Sequence, residues 1–135
     1  MEVYTIQMAR WRSLKETDIT LIDTTVKSGY RFLAPTWDMV QGIKRGTLPE
    51  EDYTVQYLAG LDRSVLKAPD LWADLLTFPK IALACYCSSH TFCHRHILAK
   101  YLKDYAESCN VTIKLGGELF SPVKLLKKEL TLTKE

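Results

Sequence analysis

Alternation of apolar and polar positions marks two short strands early in the chain. They are residues 3–8 (VYTIQM), rich in β-branched side chains, and residues 19–23 (ITLID), an apolar run ending in a carboxylate. The connector between them, ARWRSLKETD, is too polar and irregular to assign. After Asp23 the segment TTVKSGYRFLAP mixes polarities around Gly29 and Pro35 and reads as a long loop, of a length that is often functional inside a compact domain. Thr36 caps a helix that runs to about Arg45 and stops at Gly46. Thr47, followed by Leu48, Pro49, Glu50 and Glu51, starts a second helix, with Tyr53, Tyr57, Leu58 and Leu61 at helical spacing and an end before Pro69. Residues 70–76 (DLWADLL) give a short third helix.

The run KIALACYC, residues 80–87, has the small apolar composition of a strand buried on both faces. Its alternation places Ile81, Leu83, Cys85 and Cys87 on one side and Ala82, Ala84 and Tyr86 on the other. A polar SSHT loop leads to a strong helix over residues 92–108, with Ile97, Leu98, Tyr101, Leu102 and Tyr105 on its inner face. Residues 111–115 (VTIKL) form the last strand, ended by Gly116 and Gly117, and the tail SPVKLLKKELTLTKE is a short amphipathic helix or a loose terminus. Strands separated by helices predict an α/β fold: one domain over residues 1–120, with a mostly parallel sheet and helices on both faces, followed by a tail over 121–135.

The 135 residues and 47% hydrophobic content suffice for one core. With 18 basic and 16 acidic residues the net charge is only +2, which argues against a general DNA-coating role. The first residues lack the apolar core of a secretory signal, and no stretch approaches the length of a membrane span. A cytoplasmic address is expected, with no membrane partner, and a homo-oligomer is compatible with the sequence. In a reducing compartment four cysteines are more often ligands or reactive groups than disulfides.

Three of the four cysteines and all three histidines fall in ACYCSSHTFCHRH. In an open parallel sheet the carboxyl ends of the strands share one ligand-binding edge, which brings Asp23, Thr24 and Thr25 toward Cys85 and Cys87. The helix that follows adds its positive N-terminal end beside Cys93, and Arg95 offers a planar fork for phosphate or carboxylate. Trp11, flanked by Arg10 and Arg12, follows the first strand and can line the same edge; Trp37 and Trp72 are expected to cover the core. Two chemistries remain open. In one, Cys85, Cys87, Cys93 and one of His90, His94 or His96 hold zinc, although all the donors come from one short segment. In the other, Cys85 or Cys93 is a nucleophile with a histidine as base. A cysteine-phosphatase loop is excluded for the strand thiols, since the positions six residues after Cys85 and Cys87 hold Thr91 and Cys93, and no C-x-x-C occurs.

The segments VYTIQ, ITLIDTT, IALACYC and FCHRHILAKYL resemble the domain of unknown function 488 family, which includes small members carried by bacteriophages. The resemblance covers about residues 1–118. It implies a Rossmann-like α/β fold and matches the family's strand-ending aspartate and cysteine at Asp23 and Cys85, and its cysteine-histidine-arginine triplet at Cys93, His94 and Arg95. Many members have valine and arginine after the aspartate, where this chain has Thr24 and Thr25, and an acidic residue two positions after the strand cysteine, where this chain has Cys87.

Two functions are therefore expected to compete. One is an enzyme or ligand-binding protein for a nucleotide- or nucleic-acid-derived substrate, with Asp23, Cys85, Cys93 and His94 reacting and Thr24, Thr25, Arg95, Arg10 and Trp11 holding the ligand. The other is a non-enzymatic sensor or protein-binding module whose Cys/His cluster is stabilised by zinc.

Overall fold

A computed structural model describes residues 1–87 and 92–119. Four strands form one sheet in the order β2-β3-β1-β4, and every pairing is parallel. The strands are β1 (Glu2–Gln7), β2 (Thr20–Asp23), β3 (Lys80–Cys85) and β4 (Lys114–Leu119). Between β2 and β3 lie α1 (Trp37–Arg45), α2 (Glu50–Lys67) and α3 (Pro69–Leu75), and α4 (His94–Ser108) joins β3 to β4. This is the expected single Rossmann-like α/β domain. The irregular connector after β1 is a kinked 3-10 segment, Met8–Leu14.

Strand alternation divides the core in two. Val3, Ile22, Ile81 and Leu83 pack with apolar residues from all four α-helices, Tyr57, Leu61, Trp72, Leu98 and Leu102 among them. Ile6, Ala82 and Ala84 face the other way, onto a smaller cluster closed by Leu14 of the 3-10 segment and Leu119. Both faces carry helical cover, one of them thinly.

Several boundaries differ from expectation. Thr36 does cap α1, accepting from the Met39 N–H at 3.2 Å, and Gly46 ends that helix in a left-handed conformation (φ 72°). Thr47 closes α1 instead of opening α2, because its N–H donates to the Gly42 carbonyl at 2.9 Å. Strand β3 stops at Cys85, so Cys87 is exposed and off the strand. The largest difference is β4, which begins at Lys114 and contains both glycines. Its register against β1 shifts between Val3 and Tyr4, so that Val3 faces Leu115 but Tyr4 faces Gly117. Gly117 takes φ 86°, and a Cβ at Gly116 would collide with the Tyr4 ring. Glycine serves here as the bulge of a continuing strand. The proposed tail helix, and the SSHT loop with His90, lie outside the described residues.

Candidate functional site

The carboxyl ends of β2 and β3 and the first turn of α4 meet at one edge of the sheet. Cys93 is the N-cap residue of α4, with extended backbone and no side-chain capping bond, and the helix starts at His94. His94 and Arg95 are consecutive, so they leave the helix about 100° apart: one reaches toward β2, the other toward β4.

His94 is buried, and its Nε2 lies 2.9 Å from both the carbonyl oxygen and the hydroxyl of Thr24. A carbonyl can only accept, so Nε2 carries the hydrogen and Nδ1 presents a bare lone pair. The Thr24 hydroxyl donates to the Ala84 carbonyl at 2.8 Å, which fixes it as a second acceptor for the same N–H. Nδ1 faces Cys93 Sγ at 3.8 Å, and the Tyr57 ring stands edge-on to the imidazole with centroids 5.5 Å apart. Burial pushes His94 down to about 4, with the Arg95 charge adding to the effect and the bond to Thr24 opposing it. The imidazole is neutral at ordinary pH.

Arg95 is fully buried. Its Nε and Nη2 donate to the two carboxylate oxygens of Glu118 at 3.1 and 2.8 Å, while Nη1 donates to Cys85 Sγ at 2.9 Å and to the Cys87 carbonyl at 3.1 Å. Burial alone would raise the Glu118 carboxyl, but hydrogen bonds from Arg95 and Thr5 outweigh it and hold it below the usual range. The fork that could have gripped a ligand phosphate is thus directed to a carboxylate of β4, and a cationic donor is aimed at the Cys85 sulfur.

Between these two systems the sulfurs of Cys85 and Cys93 are in contact, although their Cα atoms are 7.8 Å apart. Disulfides usually span 4.4–6.8 Å between Cα atoms and cannot bridge more than about 7 Å without backbone movement. The pair is therefore read as two converging thiol groups. The ligating atoms of Cys85, Cys93 and His94 all lie within 4.8 Å of one another. Of the expected set of three cysteines and a histidine, this group brings together Cys85, Cys93 and His94, while Cys87 lies outside it and lines the same cavity. His96 is exposed on α4.

A cavity of about 220 Å³ opens onto these groups. Cys85, Cys93 and His94 contribute to its lining, with aromatic wall residues Trp37, Tyr53 and Phe92 and with Lys27 and Lys44. Trp72 is buried as expected, but Trp37 stands 49% exposed at this cavity, so its place is in the site and not in the core. Its position in the first turn of α1, directly after the long loop, is the one sequence signal that marks it. The lysines carry no distinguishing motif.

The remaining expected residues are placed as follows. Thr25 lines the cavity. Asp23 does not appear in the described lining; its carboxylate accepts from the Thr25 N–H (2.9 Å) and hydroxyl (2.7 Å) and from the Ser28 hydroxyl (2.7 Å). It builds the loop from which Thr25, Val26 and Lys27 reach the cavity. Arg10 and Trp11 are exposed on the 3-10 segment, where Arg12 and Lys15 sit over the indole at 5.0 and 5.6 Å. Trp11 borders a shallow recess with Met8, Ala9 and Tyr86, and Tyr86 also lines the main cavity.

The family DUF488-N3a, described as the active DUF488-N3 subclade, matches residues 5–106, from β1 through most of α4. The chain belongs to DUF488-N3a. The match spans Asp23, Thr24, Cys85, Cys93, His94 and Arg95, and stops short of Glu118, the partner of Arg95. No curated protein and no solved structure matches this DUF488-N3a chain. Among the described residues, no helix is long and apolar enough to cross a membrane.

Proposed function

We propose that this protein is an enzyme acting on a nucleotide-like substrate, with the base held between the aromatic walls of the cavity and hydrolysis or group transfer occurring at the Cys85, Cys93 and His94 floor. The observation that carries the reading is the lining itself: flat apolar surfaces from Trp37, Tyr53 and Phe92, two lysines, and three reactive side chains converging on one space. Ligand sites combine mostly apolar walls with a few placed polar groups, and aromatic side chains stack any base. Lys27 and Lys44 take the phosphate role that the sequence assigns to Arg95, whose fork is engaged by Glu118. The description of the family as an active subclade supports an enzyme over a purely structural module. A reducing cytoplasm is the setting in which the thiols stay available.

Calorimetric titration with nucleosides, nucleoside monophosphates and diphosphates, and short oligonucleotides tests this. Saturable binding is expected, weakened roughly tenfold in Trp37→Ala, in line with the loss of one stacked base. Lys27→Ala with Lys44→Ala should weaken phosphorylated ligands and spare nucleosides. Failure of every such ligand to bind would end the reading.

A further inference from the structure

The geometry points to a soft divalent-metal site built by Cys85 Sγ, Cys93 Sγ and His94 Nδ1, for which zinc is the fitting ion and whose remaining coordination position faces the cavity. Four observations converge on it. The three atoms lie within 4.8 Å of one another, from three buried residues. The imidazole tautomer is set by the bond from Nε2–H to the Thr24 carbonyl, which leaves Nδ1 as the free donor; a backbone carbonyl behind a ligating histidine is the usual outer-shell arrangement. The sulfurs converge from a strand end and a helix cap whose backbones are too far apart for an ordinary disulfide. Charge also balances: two thiolates offset a divalent cation, and the nearby Arg95 charge is already offset by Glu118.

Two thiolates and an imidazole form a soft donor set of the kind that selects zinc over magnesium or calcium. Structural zinc sites close the tetrahedron with a fourth protein ligand, whereas catalytic sites keep one position for water or substrate. The exposed Cys87 lies outside the three-residue group, although it lines the same cavity as the three proposed ligands. Binding displaces the protons of whichever thiols are still protonated, up to two per ion, and none from the neutral imidazole. The inference deepens the proposed function, because the ion would stand where the bound nucleotide ends.

The test is metal analysis of protein purified without chelator in the presence of reductant, followed by titration of metal-free protein with cobalt(II). About one zinc per chain is expected, together with the sulfur-to-cobalt charge-transfer and visible bands of a tetrahedral site. Cys93→Ser and His94→Asn, each checked for folding by circular dichroism, should lose most of the bound metal, while Cys109→Ser and Cys87→Ser keep it. A chain that binds neither ion stoichiometrically, that retains the metal without both Cys93 and His94, or that carries a Cys85–Cys93 disulfide when isolated under reductant would overturn the site. The wild-type titration decides the matter even if a variant fails to fold. Nucleotide binding to metal-free protein, followed by calorimetry, separates the two proposals: binding without metal keeps the cavity reading alone, and metal without nucleotide binding keeps the metal site alone.

Discussion

His94 and Arg95 are neighbours in the sequence and both are buried, yet the protein solves the cost of burying them in opposite ways. On the β2 side, His94 gives up its charge: burial holds it neutral and one N–H satisfies two Thr24 oxygens. On the β4 side, Arg95 cannot be neutralised and is matched instead by a carboxylate with two parallel hydrogen bonds. Two touching sulfurs consequently sit in different surroundings. Cys93 meets a neutral lone pair, whereas Cys85 meets a cationic donor. A polar cluster inside a core can thus supply both a free nitrogen lone pair and a cationic donor aimed at sulfur within one helical turn.

The largest effect should come from breaking the paired side. Glu118→Ala leaves Arg95 buried without its carboxylate and should destabilise the fold by about 3–5 kcal/mol. Urea denaturation measures it, and a drop below about 1 kcal/mol would mean that the charge finds compensation elsewhere. The double variant Arg95→Met with Glu118→Leu should recover much of the loss, since apolar replacement of a buried pair is often neutral or better.

The neutral side is sharpened by pH. Burial brings His94 down from about 6.5 in the unfolded chain to about 4 in the fold. Below pH 6.5 the unfolded chain takes up a proton that the native state refuses, so this stabilisation is complete above that pH and is lost as pH falls toward 4. The loss should approach roughly 3 kcal/mol across that window. Urea midpoints in chelator at several pH values would show it, and His94→Asn should flatten this part of the profile.

Smaller still, Thr24→Val removes the hydroxyl between Ala84 and His94 but leaves the Thr24 carbonyl in place, and should cost about 1 kcal/mol. At the end of the scale, Trp37→Ala should change stability by no more than about 0.5 kcal/mol, since the ring is half exposed, while still weakening any stacked ligand. A large stability loss there would return Trp37 to the core.

Much of this arrangement can be read from the chain. The β3 thiol and the Cys93-His94-Arg95 triplet stand out because a buried apolar strand running into a capped helix fixes where they must be. Their partners are harder to see. Continuous apolar runs such as IALACYC do not announce their last residue, so Cys87 looks like a fourth ligand when the chain has already left the sheet. Glu118 is hidden for a different reason: Gly116 and Gly117 read as a stop signal, although the flat Tyr4 ring and a left-handed turn require them inside a strand. Lys27, Lys44 and Trp37 converge only through the folding of the loop that Asp23 ties together.

The bulge in β4 also works as a counter. Because strand side chains alternate, one extra residue between Leu115 and Glu118 decides the parity of everything after it. Set aside as a bulge, that residue leaves Glu118 opposite Thr5, on the side where Arg95 waits; paired as an ordinary rung, it would move Glu118 opposite Ile6 and point it through the sheet to the other face. The information at this point is carried by the backbone conformation that the two glycines permit. A strand that flattened the bulge would keep every side chain of the site and still disconnect its counter-ion, a frameshift in space and not in code.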